Sequence, residues 1–169
     1  GHTSLTDVDA NYIIESTPAY FMSQNERALV IRNVVSVYKK DLPDKTLYSN
    51  LIEIVSPATD DDPQDYWLSE SENNLFSTTS SLYAKSIDLA LKDIYGNFLE
   101  AEDNDENKTI RYDSGGSVRY ERGLLLEKNC NMVTIKTLRG WIKSAPLAEG
   151  GSGGTVNCKA SLASNYNRL

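Results

Sequence analysis

Histidine and cysteine are scarce in this 169-residue chain, with His2 alone of the first and Cys130 and Cys158 of the second. A serine or cysteine nucleophile ordinarily relies on a histidine base, and a structural zinc site needs four ligands, so both chemistries lack their parts. No apolar run approaches the roughly 18 residues of a membrane helix, and no charged stretch leads into an apolar signal-peptide segment. Membrane insertion is therefore not expected, and an export signal is expected to be absent or already removed. Cations are also short. Seventeen Lys+Arg stand against 24 Asp+Glu, a net charge of −7 with no basic stripe, which argues against nucleic acid as a partner. No nucleotide motif is present and no cofactor is expected.

What is there describes one domain. The chain is 40% hydrophobic and 24% charged, long enough to bury a core of its own. Its ends look different from its body. Gly1-His2 has the form of a scar left by tag removal and is set aside from fold reasoning. Residues 3–149 read as the folded domain. Gly150-Gly151-Ser152-Gly153-Gly154 has the composition of a flexible, engineered tether; a natural glycine-rich loop is the other reading. Residues 155–169 form an appended strand or partner peptide, or the native last strand. In 155–162, Val156, Cys158, Ala160 and Leu162 are apolar and alternate with polar neighbours, the period of a half-buried strand. These four are the candidate inward anchors for strand or partner binding. Charge agrees: residues 1–149 hold 15 basic and 24 acidic side chains, a charge of −9, while Lys159 and Arg168 give residues 150–169 +2.

The body reads mostly as short strands. Residues 28–38 are rich in β-branched side chains. Leu42-Pro43-Asp44 is expected to break that strand, and Leu47–Val55 to form the next. Further strands are expected at Leu75-Phe76, Ile110–Tyr112, Val118–Tyr120, Leu124–Glu127 and Met132–Leu138. Ser81–Tyr95 fits two periods. Tyr83, Ile87, Leu91 and Ile94 share one helical face between Ser81 and Gly96, yet Ile87, Leu89 and Leu91 also alternate, and a strand over Ser86–Leu91 is the expectation. The predicted fold is mainly β, a single antiparallel β-sandwich, jelly-roll-like or immunoglobulin-like, with at most one or two short helices.

Several motifs touch on chemistry. Asp103, Asp105 and Asn107 sit at the spacing of calcium-loop ligands, but Lys108 replaces the loop glycine and Ser114 the bidentate glutamate, so a solvated acidic loop is expected and no metal. Asp113-Ser114-Gly115 matches the three-residue core of an aspartic protease in a single copy, and with Gly116 makes a better turn. Asn107-Lys108-Thr109 is a glycosylation pattern. Cys130 and Cys158 form either a disulfide or two small reduced core side chains. Ten tyrosines suit a binding surface or, more simply, strand edges.

Two resemblances follow from particular residues. Leu47–Glu53, and Ile87–Leu99 with its Gly96-Asn97 turn, resemble strand patterns of jelly-roll capsid proteins of large DNA viruses, which implies a virion or assembly protein without catalysis. Gly150–Gly154 followed by alternating Val156, Cys158, Ala160 and Leu162 resembles the arrangement of donor-strand-complemented pilus subunits. That implies an incomplete sandwich accepting an extended segment through β-augmentation. The expected function is thus a non-enzymatic structural or assembly subunit, virion or surface-fibre type, at an extracellular surface or in a virion. Its partner would be protein, by self-assembly into a homo-oligomer or polymer. Two rivals remain: a peptide- or receptor-binding adhesion module fused to its partner peptide, and a hydrolase using two carboxylates roughly 5–9 Å apart.

Overall fold

The computed structural model describes residues 11–69, 73–98 and 106–148. It is mainly β, as the sequence predicts. Seven strands form one continuous sheet: β1 (Tyr12–Met22), β2 (Leu29–Lys39), β3 (Leu42–Val55), β4 (Lys108–Ser114), β5 (Ser117–Lys128), β6 (Met132–Thr137) and β7 (Ile142–Pro146). The spatial order is β1-β2-β3-β7-β6-β5-β4. Every neighbouring pair is antiparallel except β3 and β7, which run parallel through Ile52↔Ile142, Glu53↔Lys143 and Ile54↔Ser144. In place of two facing antiparallel sheets, one mixed sheet carries a helix on one face and its own end on the other.

The helix is α2 (Asn74–Tyr95), preceded by the short α1 (Pro63–Leu68). Asp62 caps α1 by accepting from the amides of Gln64 (3.0 Å) and Asp65 (3.3 Å), and Pro63 starts the first turn, where its missing N–H costs nothing. The strand expected over Ser86–Leu91, and the one at Leu75-Phe76, are helical. Leu82, Ser86, Leu89 and Ala90 share a face and are buried, and Gly96 closes the helix with φ +64°. That face packs on Leu29, Ile31, Val35, Ile52, Ile54 and Ile142 of the central strands. A helical period wins because the face from Leu82 to Ala90 is buried against the sheet. Ile87–Asn97, cited above for the capsid likeness, lies on this helix and its cap.

A buried polar chain fixes how the helix sits. Ser16 donates to Asn33 Oδ1 (2.9 Å), Asn33 Nδ2 donates to Ser86 Oγ (2.8 Å), and Ser86 donates to the Tyr83 carbonyl (2.7 Å). Asn33 and Ser86 are fully buried, so these bonds satisfy groups that would otherwise be stranded in the core. At the far end of the helix Asp93 accepts from Tyr48 Oη (2.8 Å) and Asn50 Nδ2 (3.1 Å) and pairs with Lys136 Nζ (3.3 Å).

The opposite face is covered by β4 and the first half of β5. β4 pairs with Ser117–Gly123, whereas β6 pairs with Gly123–Lys128, so β5 belongs to two layers and turns the corner at Gly123. A Cβ there would fall well inside contact distance of the Lys136 carbonyl and the Ile135 side chain, which only glycine avoids. The folded-over arm buries Tyr112 against Ala28, Val30, Val55, Val133, Ile135 and Ala145. Its tip is the Gly115-Gly116 turn, both residues at positive φ, where Asn25 Nδ2 donates to the Gly115 carbonyl. Two sequence breaks behave differently from expectation. Pro43 lies inside β3 because Lys39 and Leu42 flank a tight turn beside two register shifts. Val118–Tyr120 and Leu124–Glu127 are one bent strand, not two.

Candidate strand-docking surface

β1 is eleven residues long, stands at one edge of the sheet, and is exposed over most of its length. Lys40 N–H donates to the Asn11 carbonyl (2.9 Å) and Ser23 N–H to the Ala28 carbonyl (2.7 Å), which frame an unbroken register with β2. Antiparallel ladders alternate, so the odd residues of β1 bond to β2 and the even ones turn their N–H and C=O groups outward. Tyr12, Ile14, Ser16, Tyr20 and Met22 therefore present a pairing edge. Pro18 falls in the same set and removes one donor, the position where an edge strand tolerates proline. Among the described residues no strand lies along this edge.

The side chains around it are apolar. Tyr12, Ile13 and Ile14 are 57%, 41% and 50% exposed, and Val34 of β2, in the next strand, is 40% exposed. Phe21 is held under the Arg32 guanidinium, 4.8 Å from its ring centroid. Arg32 Nε in turn bonds Glu53 Oε2 (2.6 Å), and Glu53 Oε1 meets Lys143 Nζ (3.1 Å). Lys143 also reaches Glu121 Oε2 (3.0 Å) and the Tyr112 hydroxyl (3.1 Å), which ties the arm to the sheet. Burial alone would pull the Lys143 ammonium down, but the Glu53 charge and the bonds to Tyr112 and Glu121 outweigh it and hold it well above its ordinary value. The Tyr48 hydroxyl is likewise pushed up, by burial first and then by Asp93.

A second stretch without a described neighbour lies on β5. β4 begins at Lys108, opposite Gly123, so along Leu124–Glu127 β6 is the paired neighbour on one side and no described strand lies on the other. Three consecutive leucines, Leu124, Leu125 and Leu126, are only half-buried there. Cys130 follows directly in the β5–β6 turn and is disulfide-bonded.

The anchors read from sequence, Val156, Cys158, Ala160 and Leu162, lie outside the described residues, as do Asp103 and Asp105. Asn107 is exposed just before β4. No group of three metal-ligating side chains gathers among the described residues. Asp113 accepts from the Gly116 amide (3.0 Å) and serves the turn. Sequence reasoning missed β1 and β7. Tyr12–Met22 alternates poorly and its Pro18 disguises it, while Ile142–Pro146 is too short to show a period. No family model, curated protein or solved structure matches this chain.

Proposed function

We propose that this protein is a non-enzymatic structural subunit, of the surface-fibre or virion type, that assembles by adding extended β-strands to open edges of its sheet. The observation that carries this reading is β1, a long edge strand with outward backbone groups amid exposed Tyr12, Ile13, Ile14 and Val34. Such an edge is an aggregation hazard in a free monomer and an asset in an assembling one. A second copy of the chain supplies the partner strand. The disulfide at Cys130 supports an oxidising setting, such as an extracellular surface.

Sedimentation of the full chain over rising concentration tests this, beside an Ile14→Pro variant. The N–H of Ile14 points away from β2, so proline there spares the hairpin and blocks the edge. Assembly of the parent chain, and its loss in a variant of unchanged melting temperature, is the expected result. A parent chain monomeric throughout, or a variant that assembles as well, would overturn it.

A further inference from the structure

We propose that a second copy pairs its own β1 antiparallel to this β1, about a two-fold axis that passes between Thr17 and the partner's Thr17, and so closes two chains into a dimer with one continuous sheet. The inference rests on the strand-addition reading and deepens it, naming the strand the partner contributes, its register and the side chains that select that register.

The backbone of β1 is the first selector. Its even residues, from Tyr12 to Met22, turn their polar groups away from β2. With the axis at Thr17 every one of them gains a partner. Tyr12 falls opposite the partner's Met22, Ile14 opposite the partner's Tyr20, and Ser16 opposite the partner's Pro18. Moving the axis to Ser16 leaves Met22 unmatched within β1. Moving it to Pro18 leaves Tyr12 unmatched and sets two prolines against each other, neither with an N–H to donate.

The side chains make the same choice. Ile13 falls opposite the partner's Phe21 on one face, and Ile14 opposite the partner's Tyr20 on the other, all four of them exposed in the single chain. Both are pairs of a β-branched with an aromatic residue, a favourable cross-strand contact. Glu15 falls opposite the partner's Ala19, whose neighbour in β2 is Arg32. The Arg32 side chain is 51% exposed and lies over Phe21 on this same face. Two strand steps of about 4.8 Å separate the backbones of Glu15 and the partner's Arg32, with only the Ala19 methyl group between them, a span that two long side chains close. The two-fold axis makes the contact twice. Moving the axis to Ser16 or Pro18 sets Glu15 opposite the partner's Thr17 or Phe21, whose β2 neighbours are the uncharged Val34 and Val30.

Cysteine cross-linking of the full chain, with sedimentation alongside, tests the register. Thr17 faces the partner's Thr17 as a non-hydrogen-bonded pair with Cα atoms about 4.5 Å apart, within reach of a disulfide. Under mild oxidation Thr17→Cys should link two chains, and peptide mapping should find residue 17 on both sides of the link. Glu15→Cys and Ala19→Cys should not link, because each lies roughly 13 Å along the strand from its own counterpart. All three positions are exposed, so the fold tolerates the changes. Glu15→Lys should raise the dissociation constant of the dimer about tenfold by setting a cation against Arg32. A chain that assembles without the Thr17→Cys link, or that links as readily through Glu15→Cys or Ala19→Cys, would overturn this pairing and leave strand addition standing. An unchanged dissociation constant in Glu15→Lys would overturn the role given to Arg32. A parent chain monomeric at every concentration would sink both readings.

Discussion

Asn33 Nδ2 lies 2.8 Å from Ser86 Oγ, a fully buried polar contact that joins the second strand of the sheet to the middle of its long helix. Ser16 completes the Asn33 amide from the edge strand. One side chain thus couples the exposed edge to the core beneath it.

Replacing Asn33 by leucine should therefore cost more than its added apolar surface returns, because Ser16 loses its acceptor and Ser86 its donor. A loss of about 1–3 kcal/mol is expected for the stranded groups, read from chemical denaturation. The double variant Asn33→Leu with Ser86→Ala should recover part of it. No recovery would show that the pair does not act as a unit.

Lys143→Met should loosen the β4–β5 arm. The substitution leaves Glu53 and Glu121 facing each other in a half-buried site, a loss of up to about 3–5 kcal/mol for such a pair, moderated by Arg32, which still bonds Glu53. Adding Glu121→Gln should lessen it. A near-ultraviolet circular dichroism difference against Tyr112→Phe isolates the contribution of the arm, and an unchanged difference with unchanged stability would contradict the clasp.

Alkali should destabilise the fold. Lys143 and Tyr48 both hold their protons more tightly folded than unfolded, so the stability they contribute is intact below their ordinary values, about 10.4 for lysine and 10 for tyrosine. Above those values the unfolded chain releases protons first. Melting temperature should be level through neutral pH and fall above about pH 10, more steeply in the parent than in Tyr48→Phe. Equal slopes would remove Tyr48 from the account.

Gly123→Ala should be disproportionately harmful for a single methyl group. The added carbon meets the Lys136 carbonyl and Ile135 at the corner of β5, and backbone cannot yield as a side chain can. A drop in stability with β6 signals perturbed in an NMR map is expected; a neutral variant would mean the corner is not fixed at that residue.

Much of this fold was legible where burial repeats simply. Residues 28–38 read as a strand from their β-branched side chains, and the structure buries Leu29, Val30 and Ile31 in succession; Met132–Leu138 read as one because its residues alternate between two faces. The helix over Asn74–Tyr95 was hidden by Ser86, a polar residue at the centre of its buried face, where a hydrophobic pattern sees a break and only the tertiary partner Asn33 explains it. Tyr83, Ile87, Leu91 and Ile94 trace a stripe displaced by one residue from the buried one. β1 was hidden for the opposite reason. Apart from Met22, which packs against the core, its apolar residues are largely exposed, so no face needed to be purified. Cys130 could be paired or free from sequence alone, since thiol spacing carries no distance.

The β3–β7 pairing has a kinetic consequence. Every other ladder joins strands adjacent in sequence, so β1 to β3 and β4 to β7 are two meanders that can each form by closing short loops. Between them stands one seam of three residue pairs, drawn from positions 90 residues apart. Closing that loop is the entropically dearest step of folding. In the folded protein α2 packs across Ile52 and Ile142 together, which offsets that cost. The helix is then the clasp between two half-folded pieces, and the chain is expected to commit to its native form when Leu82, Leu89 and Ala90 find the seam.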